Sequence, residues 1–185
     1  YYNKPTQEGI YRHFSTIADT CDIPIVLYNV PGRTGVGIAA ETVARLVKNR
    51  NVLGVKEAAG SVERVSEILS LCDTSIMCGD DSLTVPMMLL GAKGVISVAS
   101  NIIPAELKKM TDACASGDFM TAVAMHRKYW RLFKDLFVES NPIPVKAAMA
   151  MLGMIEEEYR LPLCPLSDVN REKLRKTVSE CIRSV

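Results

Sequence analysis

Val52-Leu53-Gly54-Val55-Lys56-Glu57-Ala58 is a short apolar run with one lysine near its end. Asn51 precedes it and Gly60 follows, and a run of this kind between turn formers reads as a buried strand. A lysine there is unusual, because Lys is almost never fully buried unless paired. Burial disfavours the ammonium form. A neutral amine in a closed pocket is a nucleophile that forms a Schiff base with a carbonyl. The common alternative is a strand-end lysine that reaches out to water.

Outward from this strand, helix and strand signals alternate. Gln7 to Cys21 has Ile10, Phe14, Ile17 and Ala18 at helical spacing, with Thr6 placed to cap it. Ile23 to Val30 is an apolar run ended by a Pro31-Gly32 turn. Ala40 to Lys48 is helical, with Val43, Leu46 and Val47 on one face. After the Lys56 strand, Ser61 is placed to cap a helix through Leu71. Ser75 to Cys78 is a third strand, opening into Gly79-Asp80-Asp81. A helix from Ser82 to about Leu90 contains Pro86, tolerable only in the first turn. Gly94 to Ala99 is a fourth strand, and Pro104 to Ala115 a helix stopped by Gly117.

Such alternation predicts a parallel sheet with crossover helices. Strands buried on both faces fit an open doubly wound sheet or a (β/α)8 barrel. No GxGxxG follows the first strand, so a dinucleotide fold has no positive support. The strand repeat of about 25 residues favours the barrel. Beyond Gly117 only helices are expected: Phe119 to about Phe137, Val145 to Met151 after the Asn141-Pro142-Ile143-Pro144 break, and Asp168 to about Arg183 after a Ser167 cap. The expected division is 1–118 for the barrel part and 119–185 for a small all-helical domain.

Composition narrows the function classes. The chain has 185 residues, 48% hydrophobic and 23% charged, with a net charge of +1. That balance is ordinary for a globular protein and gives no support to nucleic-acid or membrane-surface binding. No run of about 18 apolar residues occurs, and the start resembles neither a signal nor a transit peptide. The six cysteines include no CxxC or CxxH pair, so a zinc site is not expected; no cofactor is called for either. They read as reduced, buried thiols of a cytoplasmic protein. His13 and His126 lack ligand-spaced partners and read as surface or packing residues.

In a parallel barrel the active site lies at the carboxyl ends of the strands. Tyr28, Lys56 and Gly79-Asp80 fall there. Side chains alternate along a strand, so Gly54 and Lys56 should face one way and Leu53, Val55 and Glu57 the other. Gly54 beneath Lys56 would leave space for a ligand. Tyr28 on the adjacent strand, about 4.8 Å away, would bring a phenol to the same bound carbonyl. Arg33 follows in Pro31-Gly32-Arg33-Thr34-Gly35, and its guanidinium can hold a carboxylate in two-pronged fashion. An amine, a phenol and an arginine together suggest an oxo-acid substrate.

Tyr28-Asn29-Val30-Pro31-Gly32-Arg33-Thr34-Gly35, Gly54-Val55-Lys56-Glu57-Ala58, Cys78-Gly79-Asp80-Asp81 and Gly94-Val95-Ile96-Ser97-Val98 together resemble the dihydrodipicolinate synthase family. Asn141 to Lys146 and Leu161-Pro162-Leu163 fit as well. The resemblance implies a class I, Schiff-base aldolase-type reaction without a metal. Lys56 would condense with pyruvate, the enamine would attack L-aspartate 4-semialdehyde, and cyclisation would give 4-hydroxy-tetrahydrodipicolinate for lysine and diaminopimelate synthesis. Tyr28 would relay protons. Tyr2 would be the tyrosine that reaches a neighbouring subunit's site, in a homo-oligomer built as a dimer of dimers. Tyr1 would lie at the subunit contact. Arg33 would hold the semialdehyde's carboxylate, while Gly79, Asp80 and the backbone of Ile96 line the pocket. Sialate lyases look similar around the tyrosine and lysine but lack the arginine, and are the runner-up.

The family barrel has eight strands and this chain supplies four. The family's threonine pair, which completes the proton relay and binds pyruvate's carboxylate, has no counterpart here. Four parallel strands alone would leave open sheet edges. The chain therefore reads as a C-terminal portion whose partner is a missing N-terminal half-barrel. A non-catalytic half-barrel serving assembly is the alternative from another class.

Overall fold

A computed structural model describes residues 2–182. They form two compact units, divided between Ile96 and Ser97.

The first unit carries one parallel sheet, in the order β1 (Ile25–Asn29), β2 (Val52–Glu57), β3 (Ser75–Cys78) and β4 (Gly94–Val95). Spatial order equals sequence order, which is what crossover helices between neighbouring parallel strands produce. The helices are α1 (Gln7–Thr20), α2 (Pro31–Thr34), α3 (Ala40–Leu46), α4 (Glu63–Leu71) and α5 (Thr84–Leu89). Thr6 caps α1 as its position suggests, its hydroxyl accepting from the Gly9 N–H at 3.2 Å.

One face of the sheet is the core. Leu27, Val55, Ile76 and Cys78 are buried there against Val43 and Leu46 of α3 and Val65 and Ile68 of α4. Burial of such side chains stabilises by about 1.5–3 kcal/mol each. The other face is apolar too, yet open: Val26, Tyr28 and Ile96 are each 44% exposed.

Several local expectations are revised. Ile23 is exposed, so the first strand begins later, at Ile25. Pro31 opens a helical turn rather than a simple bend: it occupies N1 of α2, and Gly35 at φ 73° closes it in the left-handed region. Ser61 is not the cap of α4; Val62 holds that position without a side-chain bond. Before α5, Asp81–Leu83 is a 3-10 turn, so Pro86 falls in the first turn of α5, where its missing N–H costs little. The fourth strand is only Gly94–Val95, prolonged by the Ile96 N–H donating to the Cys78 carbonyl at 2.9 Å.

Leu53 departs from simple alternation. It is 55% exposed, whereas Val52 and Val55 are both buried. The cause is an irregularity in the ladder: Ile25 pairs with Val52 but Val26 pairs with Gly54, so Leu53 has no partner in the register. An extra residue of this kind resets the phase of the strand.

The second unit is helical: α6 (Pro104–Ser116), α7 (Phe119–Asp135), α8 (Ile143–Met151) and α9 (Asp168–Ile182). Asp118 caps α7 through the Thr121 N–H, α6 packs on α7, and α9 packs on α7 and α8. Asp135 is buried between α7 and α9, where the Thr177 hydroxyl donates to it at 2.7 Å and Lys173 lies 2.9 Å away. Ser167 turns its hydroxyl to Glu139 at 2.9 Å. Of the cysteines, Cys78, Cys114 and Cys181 are buried, but Cys21 and Cys164 are exposed and Cys72 is intermediate. Loop positions rather than apolar helix or strand faces account for the two exposed thiols. Among the described residues no helix is long and apolar enough to cross a membrane. Tyr1 and Arg183 lie outside the described residues.

Candidate active site

The carboxyl ends of the four strands bring together most of the residues singled out from the sequence. Tyr28 and Lys56 are direct partners in the β1–β2 register. Both point to the open face, away from the helices. The Lys56 Nζ stands 4.2 Å from the centroid of the Tyr28 ring, close enough for an attractive cation–π contact. The amine and the phenol ring therefore share one patch of the open face, on rigid neighbouring strands.

Gly54 serves a purpose different from the one expected. It does not simply leave room under Lys56. A Cβ there would lie 2.1 Å from the Ser75 carbonyl oxygen of β3. The close approach of β2 and β3 needs a residue without a side chain.

Gly79 acts similarly one strand end further on. Its N–H donates to the Glu57 carbonyl at 2.7 Å, and a Cβ would fall 2.5 Å from the Ala58 Cβ. Asp80 follows it in extended conformation. Burial pushes the Asp80 carboxyl above its usual range, helped by the nearby Asp81 and Glu57 carboxylates; the Gly60 N–H and the Lys56 charge oppose this. A carboxyl whose pKa is raised by burial near a lysine charge marks a candidate functional group.

Arg33 sits exposed on α2, the short turn leaving β1, so it projects from the same end of the sheet. Ile96 leaves β4 at that end as well. Tyr2 is not gathered into the cluster, being 90% exposed. Its neighbour Asn3 lines a cavity of about 420 Å³ together with Tyr28, Asn29, Thr34 and, from α1, His13 and Phe14.

Three residues at the site escape the sequence reading: Asn29, Glu57 and Arg64. Glu57 is 1% exposed on the helix-facing side, where the Asn29 Nδ2 donates to both its oxygens at 2.8 Å. Arg64 of α4 reaches it at 3.3 Å. A signal was available: a carboxylate alternating with Val55 must enter the core, and a buried charge must be paired. Its partners could not be named without the register.

The Dihydrodipicolinate synthetase family model matches residues 1–181. The 4-hydroxy-tetrahydrodipicolinate synthase of Sulfurihydrogenibium sp. is 55% identical over 182 residues, which is 96% of this chain and 62% of that protein. Among solved structures, the 4-hydroxy-tetrahydrodipicolinate synthase of Methylacidiphilum fumariolicum SolV superimposes with a TM-score of 0.97 at 48% identity, over 99% of this chain and 62% of that one. The chloride-inhibited dihydrodipicolinate synthase of Acinetobacter baumannii, solved in complex with pyruvate, gives 0.94 at 43% identity, over 98% and 63%. The chain thus spans less than two thirds of the relatives it matches. With a parallel sheet of matching shape, the motif residues at its strand ends and a family match along nearly its whole length, this chain belongs to the dihydrodipicolinate synthetase family.

Proposed function

We propose that this sheet is the second half of a (β/α)8 barrel, with a helical domain beginning near Asp118, and that the complete protein condenses pyruvate with L-aspartate 4-semialdehyde. The open apolar face carrying Val26, Tyr28 and Ile96 supports closure, since an apolar sheet face is stable only when covered. The family and the relatives' names support the substrates. The contact between Lys56 and Tyr28, 4.2 Å from nitrogen to ring centroid, is the observation that carries the chemistry.

Lys56 attacks the keto carbon of pyruvate as the neutral amine. Loss of water, with the carbonyl oxygen as leaving group, gives an imine. Removal of a methyl proton turns the imine into an enamine, whose terminal carbon bonds to the aldehyde carbon of the semialdehyde; the semialdehyde's own amine then attacks the re-formed imine carbon, which closes the ring and expels the Lys56 amine. The Tyr28 hydroxyl carries protons to and from the oxygens that leave and form. Asp80, whose carboxyl burial holds above its usual range, borders this space with Gly79, and the Ile96 backbone closes its far side. Arg33 takes the semialdehyde carboxylate with a fork of N–H donors. Tyr2, fully open in a single chain, serves a neighbouring subunit in a homo-oligomer. No step calls on a metal or cofactor, and the setting is cytoplasmic lysine and diaminopimelate biosynthesis. Arg33 favours the synthase over a sialate-lyase-like activity, because a sugar-acid chain of hydroxyls makes no use of a second carboxylate fork there.

Borohydride reduction of the full-length protein with pyruvate tests this. A covalent adduct on Lys56, lost in K56A, is the expected result. No adduct in protein that contains the complete barrel would leave the half-barrel as a non-catalytic assembly piece.

A further inference from the structure

Behind Lys56 and Tyr28, on the opposite face of the sheet, stands a second pair in the same register. Asn29 follows Tyr28, Glu57 follows Lys56, and the two are cross-strand partners. Both are essentially closed to solvent. The Asn29 amide is used at both ends: Nδ2 donates to Glu57, and Oδ1 accepts from the Ile38 N–H at 2.9 Å. Glu57 also accepts from the Ala59 N–H at 2.9 Å. Arg64 completes the set, with Nε 3.3 Å from Glu57 and a second nitrogen donating to the Ile38 carbonyl at 2.7 Å.

This set has a mechanical consequence. Side chains alternate, so locking Asn29 opposite Glu57 also locks Tyr28 opposite Lys56. A slip of one residue would carry the phenol about 3.3 Å along the strand and leave a buried carboxylate unpaired. Both backbone groups of Ile38 are tied into the same set, so it also holds the segment that leads away from Arg33.

We infer that Asn29 and Glu57, braced by Arg64, are positioning residues that set the distance between the Lys56 amine and the Tyr28 ring. They touch neither substrate; they act through the strand register. The inference rests on the reading of Lys56 as the imine-forming residue. A carboxylate placed only for stability would alter the unfolding midpoint and leave the rate of each folded molecule unchanged.

The test uses full-length protein and three variants: E57Q, N29D and the exchange N29D/E57Q. In the exchange the acceptor and donor trade strands, the carboxylate placed on β1 still accepts from the Ile38 N–H, and total charge is kept. Misplacement by about 1 Å costs on the order of 100-fold in rate. Each single variant is therefore expected to lower the rate of borohydride-trapped adduct formation and kcat by about 10- to 100-fold per folded molecule, with pyruvate KM changed less than about threefold. The exchange is expected to recover most of the loss. Single variants that do not fold, beside an exchange that folds and reacts, would also support the pair. A folded E57Q that traps pyruvate at the wild-type rate overturns the inference and leaves the Schiff-base reading standing. An exchange that fails to fold, or folds without recovering the rate, overturns it as well. Wild-type protein that forms no adduct removes the Schiff-base reading, and this inference with it.

Discussion

Replacing Gly54 with alanine should be among the most damaging single-methyl additions in this sheet. The added Cβ would stand 2.1 Å from the Ser75 oxygen and 2.9 Å from its carbonyl carbon. Ordinary contact needs about 3.5 Å, so the strands must part by roughly 1.4 Å. The obstacle is backbone, and no rotamer change relieves it. Overpacking of this kind costs about 1–3 kcal/mol. Widening the gap also strains the ladder at Gly54↔Ser75 and Val55↔Ile76, and each weakened hydrogen bond adds about 0.5–1.5 kcal/mol. The expected loss is about 2–6 kcal/mol, a large share of the 5–15 kcal/mol that holds a typical domain together. Gly32→Ala is the control. Its Cβ would meet nothing within 4 Å, and it lies inside α2, so alanine should be neutral or stabilising by up to about 1 kcal/mol. Urea unfolding followed by circular dichroism, with midpoints and slopes compared, gives both values. A G54A midpoint equal to wild type, or to G32A, would refute the close approach of β2 and β3.

Three further outcomes follow from the same geometry. Y28F keeps the ring under the Lys56 Nζ but removes the hydroxyl, so it should retain pyruvate binding and lose about 10²- to 10⁴-fold in kcat; steady-state kinetics of the full-length protein decide it. The Glu157 carboxyl is held below its usual range, first by the hydrogen bond from Arg171 and less by that from Tyr159. A lowered folded value means that its stabilisation is complete above the ordinary carboxylate range and fades as pH falls through the folded value. E157Q should flatten the acid limb of a plot of unfolding midpoint against pH, and an unchanged limb would count against the pair. Burial first, then the neighbouring Asp80 and Asp81 charges, push the Cys78 thiol up to about 11, against the help of the Asp80 backbone and the Thr84 hydroxyl. Iodoacetamide at neutral pH should therefore label the exposed Cys21 and Cys164 well before Cys78, read by peptide mass spectrometry.

How much is legible in the chain itself depends on the range of the interaction. The alternation of helix and strand, the Thr6 cap and the Gly117 stop are set by residues within a turn or two of one another. Periodicity and turn chemistry report such things directly. The likeness of Tyr28 to Arg33 and of Gly54 to Ala58 to a known family is likewise a property of order alone. The phase of β2 is not legible, because the unpaired Leu53 exists only relative to β1. The need for Gly54 is hidden for the same reason: the atom it avoids belongs to Ser75, 21 positions on. Asn29, Glu57 and Arg64 meet only after two strands and a helix are docked, and a side chain's hydrogen-bond partners across such gaps are a matter of register. Residue order thus dictates which segments become strands and which chemical groups they carry to their ends. Which of those groups stand opposite one another is settled only when the strands dock, since a shift of one residue between them reverses every side chain's face while leaving each strand's own pattern intact.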